Sequence, residues 1–468
     1  MVQTYGIAAT TAADPQPAVG DDEGSALLGS DATSRPPFKE GHATIISSVS
    51  NLANTIIGSG MLTFPLAMAS AGIIPGMVTC VTSGVIGGFG LYLLSRCARY
   101  TPHRRSSFFA VSQLTFPKAA IFFDAAIATK CFGVSISYLI IIKSLMPSVV
   151  GSLYHDLTSP TTNPPEWALS GRNWITLLML ILVPLSFLRQ LDSLRHTSYI
   201  AMFSVVYLVI IVITCYFNPL EGTAPRGDIH LINFTPSFIS TFPVQVFAFT
   251  CSQNLFPIFN ELSTNSQQRM NYVIGASIGG AILIYEIIAV FGYLTFGSSV
   301  GANIIAMYPS TSLFIAVGQL AIVVLIGFSY PLQVQPCRNC LDKIFGGGAP
   351  VKAAHHDDDD EFVDEHSAVE MSLFKHTFLT TAIIVPGFIV AYFIDDLQMV
   401  LSFVGSTGST TISFILPGFF FWKLSRDDLS ISRTLNKAAL ALAIYGCCVC
   451  VFCLSFNIYQ LFSPEQTD

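Results

Sequence analysis

Two groups of small and polar residues interrupt long apolar stretches of the sequence, and their composition suits ligand binding rather than bond-breaking chemistry. The first is the Gly-Ser-Gly at 58–60, and the second covers 250–254 and is followed by Pro257. Glycine and proline inside an apolar helix favour a break, which frees amides at the start of one half-helix and carbonyls at the end of the other. Amides suit a carboxylate and carbonyls suit an ammonium or a cation, so the pair predicts a site for a zwitterion such as an amino acid. The residues predicted to hold it are Gly58, Ser59, Gly60, Met61, Phe249, Thr250, Cys251 and Ser252. For the Gly-Ser-Gly taken alone, close helix packing through small residues is an equal alternative.

Three further residues suit a coupling ion. Glu286 is the only acid deep in an apolar run of its half of the sequence, and a carboxyl held away from water there suits a proton carrier. Ser329 can bring a hydroxyl towards Asn54 and the free carbonyls, and such oxygen ligands suit a small hard cation. The alternatives are a Glu286 bonded to a neighbouring helix and a Ser329 bonded to its own helix. The other charged residues in apolar runs, which we predict to reach towards helix ends and to set orientation or pairing, are Asp124, Lys130 and Lys143.

Helices that cross a membrane must position these segments. The sequence is 52% hydrophobic and 11% charged, whereas soluble domains contain about 25% charged residues. Apolar runs of about twenty residues, the length that a helix needs to cross a hydrocarbon core, recur along the chain. They predict an all-α polytopic membrane protein with eleven transmembrane helices, near 44–71, 74–97, 119–147, 173–190, 197–217, 237–261, 271–296, 311–335, 374–394, 398–422 and 438–461. The two interrupted segments fall in spans one and six, five apart, as a five-plus-five inverted repeat requires.

The distribution of basic residues predicts the orientation of these spans. If the N-terminus is cytosolic, the cytosolic segments hold 18 of the 22 lysines and arginines, as the positive-inside rule requires. The predicted organisation is a disordered cytosolic tail at 1–40, a transmembrane domain at 41–461 with an acidic cytosolic insertion at 341–373, and a short non-cytosolic tail at 462–468. In the first tail, Glu23, Leu27 and Leu28 have the form of an acidic dileucine signal for a sorting adaptor.

Several functional classes are disfavoured. Much of the net charge of -7 lies in the acidic insertion and the N-terminal tail, so nucleic acid binding has no support. A membrane-embedded enzyme is disfavoured because the sequence has no HExxH, GxSxG or paired intramembrane carboxylates. We predict no cofactor and no metal.

The interrupted segments resemble those of the amino acid/auxin permease family. The matching stretches are Asn54-Thr-Ile-Ile-Gly-Ser-Gly-Met-Leu-Thr-Phe-Pro65, Gly133-Val-Ser-Ile-Ser-Tyr138-Leu-Ile-Ile-Ile142, Phe249-Thr-Cys-Ser-Gln-Asn254-Leu-Phe-Pro-Ile258 and Leu294-Thr-Phe-Gly297. The likeness covers residues 41 to 461 except the acidic insertion, and the motifs are specific in combination rather than singly.

This resemblance implies a LeuT-type fold of two inverted five-helix halves plus an eleventh helix, with substrate between spans one, three, six and eight. It adds Thr55, Ile57 and Tyr138 to the predicted substrate contacts. It also implies secondary active amino acid transport at a vacuolar or lysosomal membrane with H⁺ as the coupling ion. One alternative is a plasma-membrane transporter coupled to Na⁺ through Asn54 and Ser329, although serine stands here where sodium-coupled relatives have threonine. The other is a transporter-like amino acid sensor.

Overall fold

The computed structural model describes residues 41–102, 104, 106–157, 164–188, 197–264, 266–309, 312–345, 371–426, 428 and 430–462. The predicted sorting signal, the centre of the acidic insertion and the last six residues lie outside the described residues. The α-helices are α1 Ile45–Ile56, α2 Phe64–Ala71, α3 Ile73–Cys97, α4 Phe108–Thr115, α5 Ala120–Leu157, α6 Gly171–Ser186, α7 Thr197–Phe217, α8 Phe238–Ala248, α9 Leu255–Glu261, α10 Gln267–Phe296, α11 Leu313–Phe345, α12 Leu373–Phe393, α13 Leu397–Val404, α14 Leu416–Leu424 and α15 Arg433–Phe462. Two π-helical segments, Gly405–Ser409 and Thr411–Ile415, join α13 to α14.

The helices confirm an all-α polytopic membrane protein. Seven helical stretches of the described chain are long and apolar enough to cross a membrane, and the bent pair α1–α2 would make an eighth. A helix, or a pair of helices separated by a short break, lies at each of the eleven predicted intervals. Helix α6 and the part of α7 from Ala201 are apolar but shorter than a full span.

The first span is broken where the sequence places its glycines. Helix α1 ends at Ile56, Gly58 is extended with φ of -136° and ψ of -150°, and a 3-10 turn covers Ser59–Thr63. The second half-helix starts with Pro65 in its first turn, where the missing N–H has no intrahelical acceptor to lose. The two halves are bent by 49°.

The sixth span is broken in the same manner. Helix α8 ends at Ala248, a 3-10 turn covers Ser252–Asn254, and α9 follows. Pro257 lies in the first turn of α9, the part of a helix that tolerates proline. Both interruptions therefore arise from residues that disfavour a continuous helix.

The loops between spans fall into two groups, and contacts join members of the same group. Backbone hydrogen bonds and side-chain contacts at one end join Ala43 to Glu261 and Ser263, Arg104 to Asn260, Leu262 and Ser263, Tyr100 to Asp428, and Lys375 to Asp342. Contacts at the other end join Ile73 to His230, Gly227 to Phe296, Ser144 to Asn303, and Lys143 to Asp395. Every member of the first group belongs to, or lies at the edge of, a segment that the basic residues assign to the cytosolic side.

Candidate functional site

The carbonyl ends of the two broken spans meet at one side chain. The Tyr285 hydroxyl of α10 lies 2.7 Å from the carbonyl oxygen of Ile56 and 3.0 Å from that of Ala248, the last residues of α1 and α8. Tyr285 is fully buried, and its single proton can be donated to only one carbonyl at a time. This tyrosine therefore holds together two helix ends whose carbonyls have no intrahelical donor.

Two more contacts join the breaks. The Asn254 side-chain amide donates a hydrogen bond of 2.8 Å to the Thr55 hydroxyl, which donates to the Asn51 carbonyl. At Gly60, an added Cβ would lie 2.6 Å from Ala248 Cβ and 2.9 Å from its Cα, so a side chain there would force the two segments apart. At Gly60, therefore, the structure shows close packing of helical segments through small residues, which was the alternative to ligand binding.

Gly58 differs from Gly60 in its surroundings. A Cβ at Gly58 would meet nothing nearer than the Ile56 carbonyl at 4.0 Å. Space beside Gly58 thus belongs to a cavity rather than to a helix contact. The Ser59 hydroxyl, which lines the same cavity, is buried and has no hydrogen-bond partner among the described residues.

The cavity lies between the breaks and has a volume of about 30 Å³, close to that of one water molecule. It is lined by residues of spans one, three, six and eight, the four that the family resemblance implies. The lining residues are Thr55, Ile56, Gly58, Ser59, Gly60, Lys130, Val134, Tyr138, Phe247, Ala248, Thr250 and Gln333.

Six residues predicted to contact substrate line this cavity: Thr55, Gly58, Ser59, Gly60, Tyr138 and Thr250. The other five do not line it: Ile57, Met61, Phe249, Cys251 and Ser252. Phe249 instead packs in an aromatic cluster, with its ring centroid 6.1 Å from that of Phe64 and 5.1 Å from that of Tyr285. Its ring therefore contacts α2 and α10 rather than the cavity.

Lys130 and Gln333, which were not predicted to contact substrate, also line the cavity. The prediction that Lys130 reaches a helix end is wrong, because its side chain lines the cavity between the two breaks. A signal was present, since Lys130, Val134 and Tyr138 are spaced four apart and share one helix face. Lys143, by contrast, is paired as predicted, with its ammonium 2.7 Å from Asp395.

Comparison with known proteins decides the family. A family model described as "Transmembrane amino acid transporter protein" matches residues 41–462. The chain belongs to this family. Vacuolar amino acid transporter 5 of Schizosaccharomyces pombe is 42% identical to this transporter over 435 residues, covering 90% of this chain and 96% of the relative. Vacuolar amino acid transporter 6 of Saccharomyces cerevisiae is 34% identical over 450 residues, covering 88% and 98%. Family membership confirms both the recognised resemblance and the prediction that the chain is not an enzyme.

The predicted proton carrier of this transporter lies beside the broken segments but outside the cavity. Both carboxyl oxygens of Glu286 are buried without a hydrogen-bond partner among the described residues. The Cys80 thiol of α3 lies next to this carboxyl, although the pair does not meet hydrogen-bond geometry. Glu286 follows Tyr285 directly in α10. The Glu286 side chain faces α3, whereas the Tyr285 side chain faces the breaks.

The predicted sodium ligands are not brought together at the cavity. The Ser329 hydroxyl donates a hydrogen bond of 2.8 Å to the Leu325 carbonyl of its own helix, which is the alternative given above. Asn54 is half-buried, and neither residue lines the cavity.

Proposed function

We propose that this transporter carries amino acids across a vacuolar membrane, with the zwitterion held between the breaks of spans one and six, and that a proton moves with it. The observation that carries the proposal is the convergence of the two breaks on one cavity, lined by Gly58, Ser59 and Gly60 on one side and Thr250 on the other. At about 30 Å³ the cavity marks the place of the substrate and must widen to admit an amino acid. The relatives named as vacuolar amino acid transporters support the location, because the similarity covers nearly all of each chain.

The two breaks supply opposite partial charges. The substrate carboxylate faces the residues that start the second half of span one, where Gly58 leaves room and Ser59 has an unpartnered hydroxyl. The ammonium faces the carbonyl ends of α1 and α8. Each of these carbonyls has a second lone pair, so Ile56 and Ala248 can accept from a substrate while one of them accepts from Tyr285.

The proposed architecture is eleven transmembrane helices in a LeuT-type five-plus-five repeat plus one, with a cytosolic N-terminus. Helices at all eleven predicted intervals support the count, and the matched breaks five spans apart support the repeat. Contacts among different predicted cytosolic segments, such as Ala43 with Ser263 and Tyr100 with Asp428, support the alternation of sides. The basic residues then support the choice of side.

For coupling, a proton on Glu286 is the reading that the geometry favours. An unpartnered buried carboxylate is costly at membrane depth, and a proton removes that cost. The sodium alternative has less support, because the Ser329 hydroxyl is bonded within its own helix.

Uptake into lipid vesicles tests the proposal. Purified protein is reconstituted, and the twenty amino acids are offered singly with a pH gradient, a sodium gradient or neither. We expect accumulation of at least one amino acid under the pH gradient, independent of sodium. Replacing Gly58 or Gly60 with leucine should abolish uptake, and undiminished uptake by both variants would exclude this cavity as the substrate site.

A further inference from the structure

One charged side chain of the cavity has no partner among the residues that the structure describes. Lys130 lies near the middle of the proposed third span, is only 4% exposed, and lines the cavity together with Gly58 and Ser59. Its ammonium makes no hydrogen bond or ion pair with any residue that the structure describes. Lys143, thirteen residues further along the same helix and 6% exposed, differs in this respect. Its ammonium lies 2.7 Å from Asp395 and donates to the Ala391 and Ile394 carbonyls at 2.5 and 2.7 Å.

No anion of the described chain faces Lys130. The titratable groups beside it are the thiols of Cys131 and Cys251 and, in the same cavity, the Tyr138 hydroxyl. The carboxyl groups of Asp124 and Glu286 do not face Lys130. Asp124 interacts with Cys340 and Lys343 of α11, and Glu286 faces Cys80 of α3.

The position of Lys130 is fixed by packing. A Cβ at Gly408, in the π-helical segment opposite, would come within 2.7 Å of Lys130 Cβ and 2.9 Å of its backbone nitrogen. The π-helical segment therefore presses against the base of the lysine side chain. This contact fixes where the lysine side chain leaves its helix, on the face that lines the cavity.

A buried ammonium without a counter-charge is strongly unfavourable in a protein interior. Such groups inside membrane proteins pair with one another or mark a substrate path. The Lys130 ammonium has no anionic partner among the described residues, and the cavity beside it is where the proposed substrate would lie. An anionic group of the substrate would supply the missing partner.

We propose that Lys130 binds the carboxylate of the substrate and thereby makes a free carboxylate a requirement for recognition. This inference rests on the proposed function, since it assigns one end of the same substrate. The lysine adds a full charge to the dipoles of the broken helix, and charge-assisted hydrogen bonds to a carboxylate are about twice as strong as neutral ones. Decarboxylated amines, amides and esters of the same side chain lack the charge that Lys130 is placed to meet.

The test compares an amino acid with its decarboxylated amine. The probe is the amino acid that the wild-type protein exchanges fastest across vesicle membranes at equal pH, competed by unlabelled amino acid or by its amine, such as histamine for histidine or tyramine for tyrosine. We expect the wild type to prefer the amino acid by about 30-fold or more, the cost of removing one partner of a buried charge pair. Lys130→Met should lower that preference to about threefold or less, and Lys130→Arg should retain most of it.

Lys143→Met is the matched control, because it removes a buried lysine from the same helix outside the cavity. It should lower thermal stability while leaving the preference for the carboxylate unchanged. If Lys130→Met is not monodisperse after purification, Lys130→Gln gives the same readout. A variant lacking the Lys130 charge that still shows the wild-type preference would overturn the inference.

Failure of the proposed function has a different signature, which is the absence of exchange for all twenty amino acids by the wild type. The inference would then be decided by binding to the purified protein. We expect the amino acids to raise the unfolding temperature of the wild type but not of Lys130→Met, and an equal rise in both would refute it.

Discussion

Tyr285 offers the sharpest test of how the two broken spans are held, because Tyr285→Phe removes one hydroxyl and little else. The ring would remain stacked on Phe64, at a centroid distance of 4.5 Å, and against Phe249 at 5.1 Å. The carbonyls of Ile56 and Ala248 would lose their shared donor. Leaving a buried acceptor unsatisfied costs about 1–3 kcal/mol.

The consequence for transport follows from where those carbonyls lie. If the ends of α1 and α8 must stay together to receive the substrate ammonium, the loss of about 1–3 kcal/mol weakens substrate binding by roughly 5- to 150-fold. The concentration dependence of amino acid exchange in vesicles measures this change. Thermal unfolding of the purified protein measures the accompanying loss of stability.

Two tyrosines of the same helix serve as controls. Tyr293 is also fully buried, and its hydroxyl accepts a 2.9 Å hydrogen bond from the His230 amide, away from the breaks. Tyr293→Phe should therefore lower stability without a comparable loss of substrate affinity. Tyr272 is 63% exposed, and Tyr272→Phe should change neither quantity. A half-saturating concentration for Tyr285→Phe within twofold of the wild-type value would refute the bridging role.

Five other substitutions separate packing, coupling and stability. Gly58→Ala should leave the unfolding temperature near that of the wild type but reduce exchange, because its methyl group enters the cavity. Gly60→Ala should lower both the unfolding temperature and exchange, since overpacking against Ala248 costs about 1–3 kcal/mol. Glu286→Gln, a neutral side chain of the same shape, should keep exchange at equal pH and lose accumulation driven by a pH gradient; wild-type accumulation would remove Glu286 as the proton carrier. Lys143→Met should cost more stability than Asp395→Asn, because the lysine is buried with three partners whereas the aspartate is 73% exposed. Exposed ion pairs contribute at most about 1 kcal/mol. Equal losses of stability in thermal unfolding of the two variants would contradict this prediction.

The breaks could be read from the sequence because glycine and proline act locally. Residues 58–60 and Pro257 disfavour a continuous helix whatever surrounds them, and the structure interrupts the helices at both places. The direction of each side chain is a different matter, because it depends on how a helix is rotated against its neighbours. Phe249 therefore lies in an aromatic cluster rather than in the cavity, although it belongs to the interrupted segment.

Lys130 and Tyr285 are the converse case, since neither was predicted to lie at the site and both lie beside the breaks. A lysine in an apolar run usually reaches a helix end through its long stem, which is what Lys143 does in pairing with Asp395. Lys130 differs because its side chain lines the cavity between the broken segments. Tyr285 looks like an ordinary core aromatic in the sequence, and its role appears only because two helix ends, distant in the sequence, meet at its hydroxyl.

The links between the broken spans bear on how an amino acid could leave the cavity. At the end of the molecule that carries Ala43, the Ala43 backbone bonds to Glu261 and Ser263, and Arg104 donates to the carbonyls of Asn260, Leu262 and Ser263. The two Ala43 bonds tie the start of α1 to the end of α9, and the Arg104 bonds tie the segment before α4 to the same place. Each Ala43 bond contributes only about 0.5–1.5 kcal/mol, so a state in which α1 and α9 are parted lies about 1–3 kcal/mol higher. Minor states at that level are populated at roughly 0.1–10%.

The buried contacts of Tyr285 and Asn254, by contrast, lie at the breaks themselves. Parting α1 from α9 at their outer ends would therefore open a path to the cavity while the carbonyl ends that receive the ammonium stay together.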